Sequence, residues 1–97
     1  MSVEAALARL RAAPVRAVGA NQTAKAITRG QAVEAFVAAD ADRQVVGPVV
    51  TAAADRGIGL IEVDSMTALG RACGIAVGAA AAAVLIEDQA GPAPPTG

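Results

Sequence analysis

The sequence predicts an α/β fold, a three-layer α/β/α sandwich around a four-stranded mixed sheet, and three observations predict it. Four apolar stretches of strand length recur, Val15 to Val18, Val33 to Ala39, Ile58 to Val63 and Ala79 to Ile86. Segments whose apolar residues repeat with helical spacing lie before and between them, and such interleaving places helices on both faces of a sheet. Alanine supplies 27 of the 53 hydrophobic residues and valine 12, so the core must be thin, with helices lying close on the sheet.

Val3 to Ala12 reads as the first helix, with Ala6, Leu7 and Leu10 inward and Arg9 and Arg11 outward; Pro14 ends it. The first strand then delivers the chain to Gly19. The stretch from Gly19 to Gly30, GANQTAKAITRG, reads as a glycine turn, a helix start with Asn21 as N-cap, and a short basic helix closed by Gly30. At about 100° per residue, Gln22, Lys25 and Arg29 share one face with Asn21 at its edge, and Ala24 and Ile27 face the core. VEAFVAA, Val33 to Ala39, reads as a central strand. The third helix carries Val45, Val46, Val49, Val50 and Ala53 inward, requires Pro48 near its first turn or at a kink, and closes at Gly57. Ser65 caps a fourth helix bearing Leu69, Ala72 and Cys73, which Gly74 ends. Residues 1–87 form one domain, and the Pro- and Gly-rich DQAGPAPPTG from Asp88 onward reads as a disordered tail.

Composition narrows the function. With no histidine and a single cysteine, Cys73, the chain has no internal disulfide, no histidine-based catalysis and no expected structural zinc; no cofactor or metal is expected. The thiol reads as a small buried side chain. The longest apolar run, Gly74 to Ile86, is too short and glycine-broken to span a bilayer, and the N-terminus has no apolar signal core, so a cytoplasmic monomer without membrane contact is expected. A net charge of −1 hides an asymmetry. Met1 to Gln31 holds five basic residues and one acidic, net +4, whereas the remainder holds three basic and eight acidic, net −5. The basic end suits a local anionic partner, and the overall balance argues against indiscriminate coating of nucleic acid.

The chemistry of the polar helix points the same way. Asn and Gln amides donate and accept at once and Lys donates to guanine O6 and N7, so Asn21, Gln22 and Lys25 suit nucleobase edges. Gly19 leaves the N-terminal N–H groups approachable. Phe36, the only aromatic residue, lies mid-strand, which removes base-stacking platforms, so any reading of nucleic acid works by hydrogen bonds and shape. The rival is an enzyme: Asp40 and Asp42 follow an apolar strand as D-A-D-R, superficially like the start of haloacid-dehalogenase-type phosphatases. Arg43 stands where that mechanism needs Thr or Val, which favours a strand-end turn and a helix cap.

Taken together, GANQTAKAITRG, FVAADAD and IEVDSMTALGRACGI resemble, in order and spacing, the ribosomal protein L-seven-Ae family of kink-turn RNA-binding proteins, and its small bacterial members above all. The resemblance runs from about Val15 to Ile86. It implies the α/β/α sandwich and a bent RNA target, possible ribosome association included, in which a kink exposes the guanine edges of tandem sheared G·A pairs to a helix N-terminus. It places Asn21, Gln22 and Lys25 on those pairs, Gly19 at a close backbone approach, and Arg29 and Arg56 near phosphates. It also puts the loop Glu62, Val63, Asp64 and Ser65 against the extruded nucleotide, with Val63 as the apolar contact. Three positions depart from the family pattern: Gln22 where many members carry glutamate, Val18 in place of a basic residue, and an acidic Asp64 in the loop. Each is expected to weaken binding, and none removes the guanine-reading set.

Overall fold

The computed structural model describes residues 3–86. Helices and strands alternate without exception: α1 (Val3–Ala12), β1 (Arg16–Val18), α2 (Ala20–Thr28), β2 (Ala32–Ala38), α3 (Arg43–Arg56), β3 (Gly59–Val63), α4 (Met66–Ala72) and β4 (Ala81–Leu85). The strands form one sheet in the order β1-β4-β2-β3, with β2 and β3 parallel and both pairs made by β4 antiparallel. The sheet is therefore mixed, as the sequence predicts. The tail from Asp88 lies outside the described residues.

Period-two alternation divides the core between the two faces. Ala35 and Val37 of β2 and Ala81 and Ala83 of β4 pack with Ile27 of α2 and Val46, Val49 and Ala53 of α3. The intervening Phe36, Ala38 and Ala82 pack with Leu10 of α1, Leu69 of α4 and Cys73, the α4 C-cap. Helices thus cover both sides, two to a side. Ala81, Ala82 and Ala83 are fully buried, which is the alanine-lined sheet the composition implies. Phe36 is fully buried too, so the chain's one aromatic ring fills the α1/α4 side.

Local chemistry sets most boundaries. Asp42 accepts from the Gln44 amide at 2.8 Å and starts α3, Ser65 Oγ accepts from the Ala68 amide at 3.1 Å and starts α4, and Gly57 closes α3. A bidentate pair from Arg9 to Glu34, Nε to Oε2 at 2.9 Å and Nη2 to Oε1 at 3.1 Å, ties α1 to β2.

The structure corrects expectations for α2 and α3. Asn21 is not the N-cap: Gly19 is, at φ 98°, and α2 begins at Ala20. The Gly19 carbonyl accepts the Thr23 amide at 2.9 Å, so the first turn closes earlier than an asparagine cap would allow. Val45 and Val50 do not face the core; they are 47% and 42% exposed, because one stripe of α3 holds only Val46, Val49 and Ala53. Pro48 sits inside the helix at its sixth residue, where the Gln44 carbonyl loses its usual donor. Ala24, expected in the core, packs at its margin, while Thr23, Ala26 and Ile27 form the buried stripe of α2.

Thr23 is fully buried, and its hydroxyl has no hydrogen-bond partner among the described residues. Replacing that hydroxyl with a methyl group keeps the shape and removes an unsatisfied polar atom. Thr23→Val is therefore expected to stabilise the fold by about 1 kcal/mol, read as a rise in the thermal midpoint.

Candidate nucleic-acid interface

The sheet collects three helix N-termini at one end. β2 and β3 are parallel and each runs into the start of a helix, α3 and α4, while Val18 of β1 lies opposite Ala82 at the start of β4 and runs directly into α2. The amides at these starts have no intrahelical partner; Asp42, Asp40 and Ser65 accept from those of α3 and α4, whereas α2 begins without a side-chain cap. Cross-links hold this end of the sheet in shape: the Gly19 amide donates to Ala81 O at 2.8 Å, the Ala79 amide to Met66 O at 3.0 Å, and the Met66 amide to Asp40 Oδ1 at 2.8 Å.

Gly19 is what opens the first of these N-termini. Its φ of 98° is a conformation that residues with side chains rarely adopt, and nothing lies within 4 Å of the place a Cβ would occupy. Asn21, Gln22, Lys25 and Arg29 are all exposed along α2 beyond it, and no hydrogen bond ties the Asn21, Gln22 or Lys25 side chain to the rest of the described chain. Gln22, Lys25 and Arg29 line a groove of about 260 Å³ beside β1, which Arg16 also enters. No carboxylate lines that groove. Arg16 is held there by its own contacts, with Nη1 donating to Leu10 O at 3.3 Å and Arg11 O at 3.2 Å.

The remaining expected residues lie elsewhere. Arg56 stands at the far end of α3, where Nη2 donates to Thr28 O and so caps the C-terminus of α2. Glu62 lines a separate cleft of about 160 Å³ with Arg43, Val46 and Leu60, between α3 and the β3 edge. Asp64 is exposed just before α4, and the Ser65 hydroxyl is engaged as that helix's cap. Val63 is not a surface contact. It is 1% exposed, because its pairing with Ala38 makes it the last strand residue and turns its side chain into the α1/α4 core.

Exposed apolar surface beside α4 comes from residues to which the sequence assigns no role. Ile75 and Val77 are 37% and 70% exposed. They lie in the 73–80 connection, which runs back along α4, with the Ile75 amide on Gly70 O at 3.1 Å, and then delivers Ala81 to Gly19. The signal was the glycine-bracketed GIAVG, which reads as the beginning of a buried apolar run when taken alone.

Neither acid nor thiol forms a reactive cluster. Asp42 and Asp40 are engaged as a helix cap and as a brace for the α4 start, and among the described residues no group of His, Cys, Asp and Glu could hold a metal ion. Cys73 is buried, and burial pushes its thiol pKa up, away from the reactive thiolate. No helix among the described residues is long and apolar enough to cross a membrane.

Fold and site together define a binding domain of the α/β/α class, organised around one cationic, amide-bearing helix. The chain belongs to the family described as "Ribosomal protein L7Ae/L30e/S12e/Gadd45 family", which matches residues 1–91. It is 46% identical over 68 residues to the RNA-binding protein YbxF of Geobacillus stearothermophilus, an alignment spanning 70% of this chain and 83% of the relative. It is 42% identical over 76 residues to an RNA-binding protein of Caldanaerobacter subterraneus, covering 78% of this chain and 93% of that one. The large ribosomal subunit protein eL8 of Halobacterium salinarum is 42% identical over 73 residues, 74% of this chain and 61% of the relative. Among solved structures, the Giardia lamblia 15.5kD RNA binding protein superposes with a TM-score of 0.75 at 31% identity, covering 92% of this chain and 80% of that one. These relatives are named as RNA-binding or ribosomal proteins, not as enzymes.

Proposed function

We propose that this chain is a cytoplasmic, non-enzymatic RNA-binding protein that recognises and stabilises kink-turn RNA. The observation that carries the reading is the row of unpartnered polar side chains, Asn21, Gln22 and Lys25, at the glycine-opened start of α2. A-form RNA hides its base edges in a deep, narrow major groove, and a sharp kink opens that groove enough to admit a helix end. Asn21 and Gln22 then pair with the edges of sheared G·A pairs, and Lys25 donates to guanine O6 and N7. Arg29 and Arg16 in the same groove meet phosphates, and Arg56 meets the backbone only where it passes the far end of α2. Ile75 and Val77 offer the apolar surface for the extruded nucleotide, with Glu62, Asp64 and Ser65 at the margin.

A gel shift tests this reading. A kink-turn RNA is expected to bind, and the same RNA with its G·A pairs changed to Watson–Crick pairs is expected not to; equal binding to both would end it. The likeness to a ribosomal subunit protein supports a second setting for the same activity, on the ribosome. Co-sedimentation with ribosomal subunits would show that setting, and its absence would favour a free regulator or RNA chaperone.

Charge gives a further test. The sheet order separates β3 from β1 by three strand spacings, roughly 14 Å. Asp64, which follows β3, therefore stands somewhat beyond a Debye length of about 10 Å at 0.1 M salt from the cationic groove, and well within the roughly 30 Å of 0.01 M. Asp64→Asn is expected to tighten RNA binding at low salt and Asp64→Lys to tighten it further, with the gain fading as salt rises. Unchanged or weaker binding by both variants at low salt would show that this loop does not face RNA.

A further inference from the structure

A second groove lies on the opposite face of the sheet from α2. It encloses about 530 Å³ and is lined by Glu4, Leu7 and Arg11 of α1 and by Ala68 and Arg71 of α4. Helical spacing explains the set: Leu7 stands three residues from Glu4 and four from Arg11, and Ala68 stands three from Arg71, so each helix presents one row to the other. The groove has an aliphatic floor, Leu7 and Ala68, and two cations. The remaining arginine of α1, Arg9, is committed to Glu34. Arg11 and Arg71 are both exposed, and neither guanidinium has an ion-pair partner among the described residues.

We propose that this α1/α4 groove docks an acidic, amphipathic segment of another protein while α2 holds RNA. Two free guanidinium groups select carboxylates in fork geometry. The aliphatic floor between the helices takes an apolar side chain of the same segment, the pattern of a helix laid in a groove. Glu4 separates this occupant from RNA: a carboxylate at one end of the groove repels a phosphodiester chain but takes a lysine or a peptide N-terminus. No aromatic ring is available on this face for a base to stack on, since Phe36 is buried. α1 and α4 cover one face of the sheet and α2 and α3 the other, so the two grooves open on opposite faces.

The probe is a library of short random peptides displayed on phage and selected against the full chain. Recovered sequences are then made synthetically and titrated into isotope-labelled protein, with and without a bound kink-turn RNA. Enriched peptides are expected to carry carboxylates and leucine-like residues at helical spacing and to shift the amide signals of Leu7, Arg11, Ala68 and Arg71. Arg11→Glu with Arg71→Glu is expected to cost about tenfold or more in peptide affinity. Arg11→Gln with Arg71→Gln, which adds no charge, is expected to lose affinity in part and serves if the reversal does not fold. Retained affinity in both double variants, no acidic enrichment, displacement of the peptide by the RNA, or groove shifts produced by single-stranded oligonucleotide instead of peptide would each overturn the proposal. Because the RNA contacts are on the other face, Asn21→Ala is expected to leave peptide binding unchanged, which separates failure of this site from failure of the RNA reading.

Discussion

Asn21→Ala and Lys25→Ala are each expected to weaken kink-turn RNA binding by about 1 to 3 kcal/mol, the scale of one lost base contact. Neither is expected to move the thermal melt. Were Asn21 the helix cap, its loss would cost on the order of 1 kcal/mol of stability as well. Gly19 occupies that position, and the Asn21 side chain makes no capping bond, so the amide is free for a ligand and its removal acts on binding alone. Titration of both variants against one RNA, with circular-dichroism melts beside it, checks the pair of outcomes. Parent-like affinity in both variants would show that α2 does not read the RNA.

Gly70→Ala is expected to have the largest effect on the fold, at about 3 kcal/mol, or a drop of roughly 12 to 24 °C in the thermal midpoint of a domain this size. Gly70 is buried in α4, and an added Cβ would collide with the carbonyl oxygen of Val77 and come within 3.1 Å of Gly78 Cα. Both are backbone atoms, so no side chain can swing away. Gly78 in turn packs on Met66, where a Cβ would stand 3.0 Å from the Met66 Cβ, leaving the connection no room to retreat. The collision therefore displaces Ile75 and Val77, and RNA affinity is expected to fall with stability. Gly47 supplies the contrast. It lies within α3 with nothing within 4 Å of an added Cβ. Gly47→Ala is expected to stabilise by about 0.5 to 1 kcal/mol through helix propensity, with RNA binding unchanged.

Elements whose limits depend on neighbouring residues were legible in the sequence. Ser65 caps α4 because its hydroxyl reaches an amide three residues on, and Gly57 closes α3 by local backbone geometry, so composition alone marks both. The α2 start was misplaced by two residues because GAN offers glycine and asparagine as rival caps, and closure of the first turn on the Gly19 carbonyl decides between them. On α3, VVGPVV carries more valines than one stripe can bury, and only packing against β2 shows that Val46 and Val49 are inside while Val45 and Val50 are outside. The same limit governs the site. The α2 face could be read from periodicity alone, whereas the inward turn of Val63 depends on its pairing with Ala38, and the exposure of Ile75 and Val77 on the close approach of Val77 to Gly70.

RNA is expected to lie along the glycine-opened start of α2 and to reach the exposed apolar connection before β4. Amide chemical-shift mapping of the full chain with a kink-turn RNA tests it most directly. The largest changes are expected at Gly19, Asn21, Gln22 and Lys25, with a second set at Ile75 and Val77 and little change at Leu7 or Ala68. Changes confined to the α1/α4 face, with the α2 signals unmoved, would contradict it.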